Sequence, residues 1–289
     1  MNIILGTAQF GLDYGVSNIG GQVELKEVEK IISRCGELGI RHFDTAQAYG
    51  NSEAVLGGIL KREVCITTKI PPRVSDGMTD SDWIMININQ SLSSLRRPHV
   101  DELLFHRSSD LLKCDSLEIN RVLYNLKRNG LVKNVGVSLY EFDDIDYLLS
   151  NYDIDIIQAP FNIIDTRLVS DGWLEFFKKR DIRVDVRSAF LQGLLLMDSS
   201  LRHHYFRRWD SIFEKLAKLR ENYPEFSKID LCLQFLKQHS LIDNLVIGAQ
   251  SERELVEVVD SFRSHCNINF PDCSSRDVDL INPSRWKLS

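Results

Sequence analysis

Eight short β-like runs alternate with helical patterns along nearly the whole chain, and this alternation is what most restricts its fold. The strand candidates are Asn2–Leu5, Arg41–Phe43, Val64–Thr68, Val100–Phe105, Val132–Val137, Ile154–Gln158, Arg183–Val186 and Asn244–Ile247. Helical candidates lie at Leu25–Leu38, Ser52–Leu60, Asp80–Leu95, Ser116–Arg128, Glu141–Leu149, Leu168–Lys179, Ser227–His239 and Glu252–Arg263. In the first of these, Leu25, Val28, Ile31, Ile32 and Cys35 recur at helical spacing, and Glu27, Lys30 and Arg34 take the other side. Gly39 and Gly130 follow two of the helices, as residues that end a helix in the left-handed region do. A strand followed by a helical crossover pairs parallel with the next strand. Eight such units predict an α/β fold, a single (β/α)8 TIM barrel, with an open doubly wound sheet as the alternative. No GxGxxG follows the first strand, which weakens that alternative.

The 289 residues read as one domain over 1–289, with the barrel at about 3–263 and a tail over 264–289 that contains Pro271 and Pro283. The stretch from Ser188 to Asp243 is long for one barrel connection. It predicts an insertion between strands seven and eight, lying over the active face. Within it, the aromatic and basic segment Arg202–Trp209 reads as an ordinary amphipathic helix or, more sharply, as a substrate contact.

Net charge is −6, so nothing marks a nucleic-acid surface. No apolar run approaches the roughly 20 residues of a membrane span. The opening residues MNIILGTAQFG lack a basic region and a cleavage site, so they read as a first strand rather than a signal peptide. The expectation is a cytoplasmic protein with no membrane partner and no metal. Its six cysteines are then reduced thiols, with a disulfide or zinc site at Cys266 and Cys273 as the alternative.

In a barrel of this class the active site lies at the C-terminal ends of the strands. There the chain places Asp44, then Tyr49 five residues on, Lys69, and His106. Each has an ordinary reading alone: a helix cap, a packing ring, a solvated strand end, a satisfied core histidine. Together, from consecutive strands, they suit reduction of a carbonyl. A phenol with a pKa near 10 is a poor acid–base group at neutral pH. A nearby ammonium is expected to lower that pKa, and a carboxylate to hold the ammonium. A histidine at the same rim can stabilise charge developing on the carbonyl oxygen. Strands five to eight end at Ser138, Gln158, Arg187 with Ser188, and Gly248.

The segment Gly39-Ile-Arg-His-Phe-Asp-Thr-Ala-Gln-Ala-Tyr-Gly-Asn-Ser-Glu53 resembles a signature of the aldo-keto reductase superfamily. Ile66-Thr-Thr-Lys69, Leu103-Leu-Phe-His106, Gly136-Val-Ser138 and Ile157-Gln158 resemble its next motifs in order. The resemblance implies an NAD(P)H-dependent oxidoreductase acting on a small-molecule aldehyde or ketone. It implies a catalytic tetrad of Asp44, Tyr49, Lys69 and His106, with Tyr49 as general acid. It also implies a dinucleotide across the barrel mouth. Ser138 and Gln158 would hold the carboxamide and Thr7 would lie near the ribose. Arg187, Ser188, Phe190, Gln192 and Gly193 would run beside the nicotinamide and pyrophosphate. Gly248, Ala249, Gln250, Ser251 and Glu254 would meet the adenosine end.

Three positions depart from the family pattern. Leu139 replaces an asparagine, Arg187 an aromatic ring, and Glu254 an arginine common in NADP-preferring relatives. Arg253 stands beside Glu254, so NADP is placed ahead of NAD. The segments Leu5–Gly15 and Arg187–Met197 resemble a bacterial subgroup associated with sugar metabolism. A sugar-like substrate touching Gln9, Tyr14, Asn162 and Arg187 is the expectation drawn from them. The competing readings are a nicotinamide-binding regulatory subunit with vestigial turnover, and a barrel isomerase or lyase using the same tetrad.

Overall fold

In the computed structural model, which describes residues 1–61, 63–74 and 77–288, eight parallel strands close into a barrel in sequence order. They are β1 (Asn2–Gly6), β2 (His42–Asp44), β3 (Cys65–Ile70), β4 (Val100–Phe105), β5 (Val132–Ser138), β6 (Ile156–Pro160), β7 (Arg183–Arg187) and β8 (Asn244–Ile247). β1 closes the circle by pairing with both β2 and β8. This is the (β/α)8 architecture. The open sheet is therefore ruled out.

Successive side chains in a strand point to opposite faces, and here the period of two sorts apolar from polar. Phe43, Ile66, Leu103, Phe105, Val184, Val186 and Leu245 are buried in the layer between strands and helices. The alternate residues face the barrel axis and are largely polar or charged. Low on the axis, Arg183 of β7 grips Glu102 of β4 through both terminal nitrogens, at 2.6 and 2.5 Å. The same guanidinium holds Asp185, which accepts from Asn244 at 2.6 Å. His42 and Thr67 also reach Glu102. Burial opposes ionisation of Glu102, but hydrogen bonds from His42 and Arg183 outweigh it and hold its pKa down to about 2. This network plugs the barrel floor.

The helices Asp80–Leu95, Ser116–Arg128 and Glu252–Arg263 match their sequence-predicted spans. The helix expected over Leu168–Lys179 is instead two pieces, Arg167–Ser170 and Trp173–Lys178. Gly172, at φ 79°, breaks it. The helix expected over Glu141–Leu149 starts later, at Ile145, and runs to Asn151.

The long connection after β7 holds short 3-10 turns and the helices Asp210–Asn222 and Lys228–Lys237. Within Arg202–Trp209, His204–Trp209 forms a 3-10 turn in place of the expected α-helix. Phe206 and Trp209 are buried in a second apolar cluster with Leu280 and Ile281 of the tail. Trp209 Nε1 donates to Asp277 at 3.0 Å, and the Tyr205 hydroxyl to the Asp279 carbonyl at 2.9 Å. The tail is thus pinned by the insertion. All six cysteines are free thiols, Cys266 and Cys273 included. Among the described residues no helix is long and apolar enough to cross a membrane.

Arg183→Met should cost about 3–5 kcal/mol, because it strands two buried carboxylates without their cation. Urea unfolding that showed no loss of midpoint would remove the floor network from the account of stability.

Candidate active site

The opposite end of the same inward faces builds the site. Asp44 ends β2, Lys69 lies near the end of β3, His106 follows β4, and Arg187 ends β7. Lys69 is wholly buried. Its ammonium has three N–H donors and the protein meets all three: Asp44 Oδ1 at 2.5 Å, the Thr45 carbonyl at 3.1 Å and the Tyr49 hydroxyl at 3.4 Å. Asp44 Oδ2 accepts from Gln158 Nε2 at 2.8 Å, so the carboxylate is fixed from both sides. The His106 ring stands edge-on to Tyr49, with centroids 5.6 Å apart. His106 Nδ1 is buried and has no hydrogen-bond partner among the described residues. The structure therefore gathers Asp44, Tyr49, Lys69 and His106 at one rim.

Tyr49 reaches this place through a turn seated on the short helix Ala8–Gly11. A Cβ on Gly11 would lie 1.8 Å from the Tyr49 carbonyl oxygen. Gly50 sits in the left-handed region and packs as closely on Gly11. Only glycines allow the two backbones to meet there.

The expectation that Lys69 lowers the tyrosine pKa fails. Burial raises it above the ordinary phenol value, and the Asp44 charge raises it further. Asp44, which holds Lys69 at 2.5 Å, thus also opposes the phenolate. His106 is pushed down to about 3, by burial first and then by the charges of Lys69, Arg187 and Arg107. At neutral pH the rim therefore carries a protonated phenol and a neutral imidazole.

A cleft leads from Tyr49 past Arg187, Ser188, Phe190, Gln192 and Gly193 to Gly248, Gln250 and Glu254. Ser188, Leu191, Gln192 and Gly193 all have positive φ, a run of left-handed backbone that needs support from outside. Asn162 supplies some of it, donating to the Ser188 carbonyl at 3.0 Å. Asn162 is buried, so it braces this turn rather than meeting a substrate. Thr7 borders the cleft, but its hydroxyl is spent on the Asp44 carbonyl and accepts from Ser52. Gln158 donates one amide N–H to Asp44 and keeps its second N–H and its carbonyl oxygen. Ser138 is buried at the end of β5, and Leu139 beyond it is sealed inside. Ala249 is buried and Ser251 caps the last helix by accepting from the Glu254 N–H at 3.1 Å. The Glu254 carboxylate turns back onto the Gln250 N–H at 2.7 Å. Tyr140, which carries the Arg187 guanidinium on its ring at 4.2 Å, was not foreseen from the sequence. It lies two residues past a strand end, beyond the positions where rim residues were sought.

Fold and rim together define a (β/α)8 enzyme with an acid–base cluster at the C-terminal mouth. The model of the Aldo/keto reductase family matches residues 2–274, and the chain belongs to that family. It is an oxidoreductase of the kind that reduces carbonyls with a nicotinamide. Among curated proteins it is similar to D-arabinose 1-dehydrogenase of Saccharomyces cerevisiae, at 24% identity over 88% of this chain and 82% of that one. It is also similar to an NADH-specific methylglyoxal reductase of Escherichia coli K12, at 30% over 56% and 55%. Among solved structures, the holo form of aldo-keto reductase AKR11C1 from Bacillus halodurans matches with a TM-score of 0.74 at 21% identity, over 91% of this chain and 87% of that one.

Neither rim ring titrates near neutrality. Turnover at saturating substrate should therefore stay flat between about pH 6 and about pH 9. An inflection near the ordinary histidine value in a pH–kcat profile would show that His106 is not held neutral.

Proposed function

We propose that this chain reduces an aldehyde or ketone with Tyr49 as general acid. The observation that carries this is one continuous contact chain, Gln158–Asp44–Lys69–Tyr49, that is buried at its start and opens at the rim beside the unpartnered His106 nitrogen. Tyr49 accepts from Lys69, so its own hydroxyl proton is free to point outward. Its raised pKa keeps that proton in place until a stronger base, an oxygen gaining negative charge, forms beside it. Neutral His106 offers an N–H to the same oxygen. Lys69 and Asp44 hold Tyr49 in place and are already compensated, so they need no reorganisation as charge moves.

The residues along the cleft fit a dinucleotide. Ser188, Gln192 and Gly193 line the cleft at one end and Gly248, Gln250 and Glu254 at the other, and Gly193 and Gly248 lie so close to Ser17 and Gln9 that neither position has space for a Cβ. When bound, a reduced nicotinamide supplies the hydride. A regulatory subunit has no need of a fully compensated buried ammonium under a tyrosine, which favours the enzyme reading over that one. Tyr49→Phe keeps the ring and removes the proton. It should lower kcat by about a thousandfold or more while leaving NADH binding by fluorescence within a few-fold; wild-type turnover in this variant would sink the role.

Between the two nicotinamides the Glu254 carboxylate decides the proposal. It fills the anion position at the N-terminus of the last helix and is half-buried beside the cleft. Burial raises its pKa, and the Gln250 N–H partly offsets this. A 2′-phosphate brought there meets a carboxylate where a cation would serve it. Arg253 is exposed beside it. This carboxylate favours NAD over the NADP expected from the sequence, and the NADH-specific relative supports that choice. Glu254→Arg should weaken NADH and tighten NADPH in fluorescence titration, shifting the ratio by about tenfold. A wild type that already binds NADPH more tightly would overturn this choice.

A further inference from the structure

We propose that Arg187 receives a carboxylate, so that the carbonyl compound reduced here is itself an anion carrying both groups in one molecule. This rests on the reading of the rim given above and names the substrate class for it.

Arg187 is the last residue of β7 and its inward face meets the rim. Its guanidinium lies over Tyr140, donates from one terminal nitrogen to the Leu139 carbonyl at 2.7 Å, and from the other to Ser188 Oγ at 3.2 Å. Stacking and two hydrogen bonds fix the plane of the fork, and its remaining N–H groups are left for the cleft it lines.

Several other sheltered arginines of this protein are answered by carboxylates. Arg183 holds Glu102 and Asp185, Arg167 holds Asp165 and Glu141, and Arg73 holds Asp80. Among the described residues Arg187 forms no ion pair. Its neighbours by field are the phenols of Tyr14 and Tyr49 and the imidazole of His106. The nearest carboxylate of the rim, Asp44, is committed to Lys69 and Gln158. The cleft's own carboxylate, Glu254, is turned onto Gln250 at the far end. A fixed cation near a second one, Lys69, lacks a counterion until a ligand brings it. The planar fork matches a carboxylate through two parallel hydrogen bonds. Its place among Tyr49 and His106 sets that carboxylate close to the reacting carbonyl. The other anion available to the cleft is a dinucleotide phosphate, and the experiment separates the two.

Three pairs of aldehydes matched in length test the assignment with NADH: glyoxylate with glycolaldehyde, succinic semialdehyde with butanal, and glucuronate with glucose. Wild type is expected to prefer the acid by about tenfold or more in kcat/KM in at least one pair, the effect of one charged hydrogen bond or more. Arg187→Gln should collapse that ratio towards one, and Arg187→Lys should keep part of it. Equal or reversed preference in every pair overturns the proposal. So does an unchanged ratio in Arg187→Gln with weakened NADH binding, which would give the arginine to the phosphates. If wild type turns over none of the six, the reductase reading fails instead. Arg187 is then judged by succinate, an unreactive dianion, added to wild type with NADH. A rise in Tm that Arg187→Gln abolishes supports the carboxylate site, and no rise in wild type refutes it.

Discussion

An ammonium sealed from water must find all its partners inside the protein, and Lys69 makes that demand at the centre of the rim. The cost of stripping its hydration is large, and only a carboxylate at contact with further acceptors offsets it. Asp44 supplies the charge, Thr45 a carbonyl and Tyr49 a hydroxyl. These partners come from the end of β2 and the turn after it. The register Asp44↔Thr67, two residues before Lys69, is therefore a requirement of the site as well as of the sheet. Gln158, from across the barrel, ties the far oxygen of Asp44. Four elements are fixed by one buried cation.

The same strand faces carry a second charged layer at the floor, and the two layers behave differently. Glu102 and Asp185 share the one Arg183 guanidinium, so these charged groups are answered from within the protein. At the mouth, compensation is left incomplete: His106 Nδ1 has no partner and Arg187 has no carboxylate. Floors are built for stability and mouths for ligands. The difference is visible in which polar groups stay unanswered.

Much of this was legible in the chain. The helix at Leu25–Leu38 and its Gly39 cap follow from spacing alone, since an apolar stripe and a residue free to adopt φ 82° leave little choice. Strand ends were less legible. β3 was read as stopping at Thr68 and runs to Ile70, because an inward lysine in a strand looks like solvent-facing charge until its partner 25 residues away is known. The break at Gly172 was hidden by apolar spacing that continues on both sides. The docking of Arg202–Trp209 onto Asp277 and Asp279 depends on partners about seventy residues away, and local pattern carries no sign of it. Asn162 looks in the sequence like a ligand contact, yet it is buried and braces the Ser188 carbonyl, a partner decided only by the closed barrel.

The cleft that results is polarised along its length. Arg187 stands at the reacting end, and Glu254 stands at the end against the last helix. A fixed cation penalises any further cation formed beside it, and the water-poor rim leaves that penalty weakly screened. Oxidised nicotinamide is cationic and its reduced form is neutral. On the proposed reading, Arg187 therefore biases a cofactor held there towards the reduced state, the state that gives hydride away. A carboxylate bound to Arg187 cancels the same field. On that reading, Arg187 would permit easy hydride loss from a cofactor held there only once the anionic substrate is in place. The protonated phenol of Tyr49 matches that direction, since burial and the Asp44 charge hold its proton until a stronger base forms beside it.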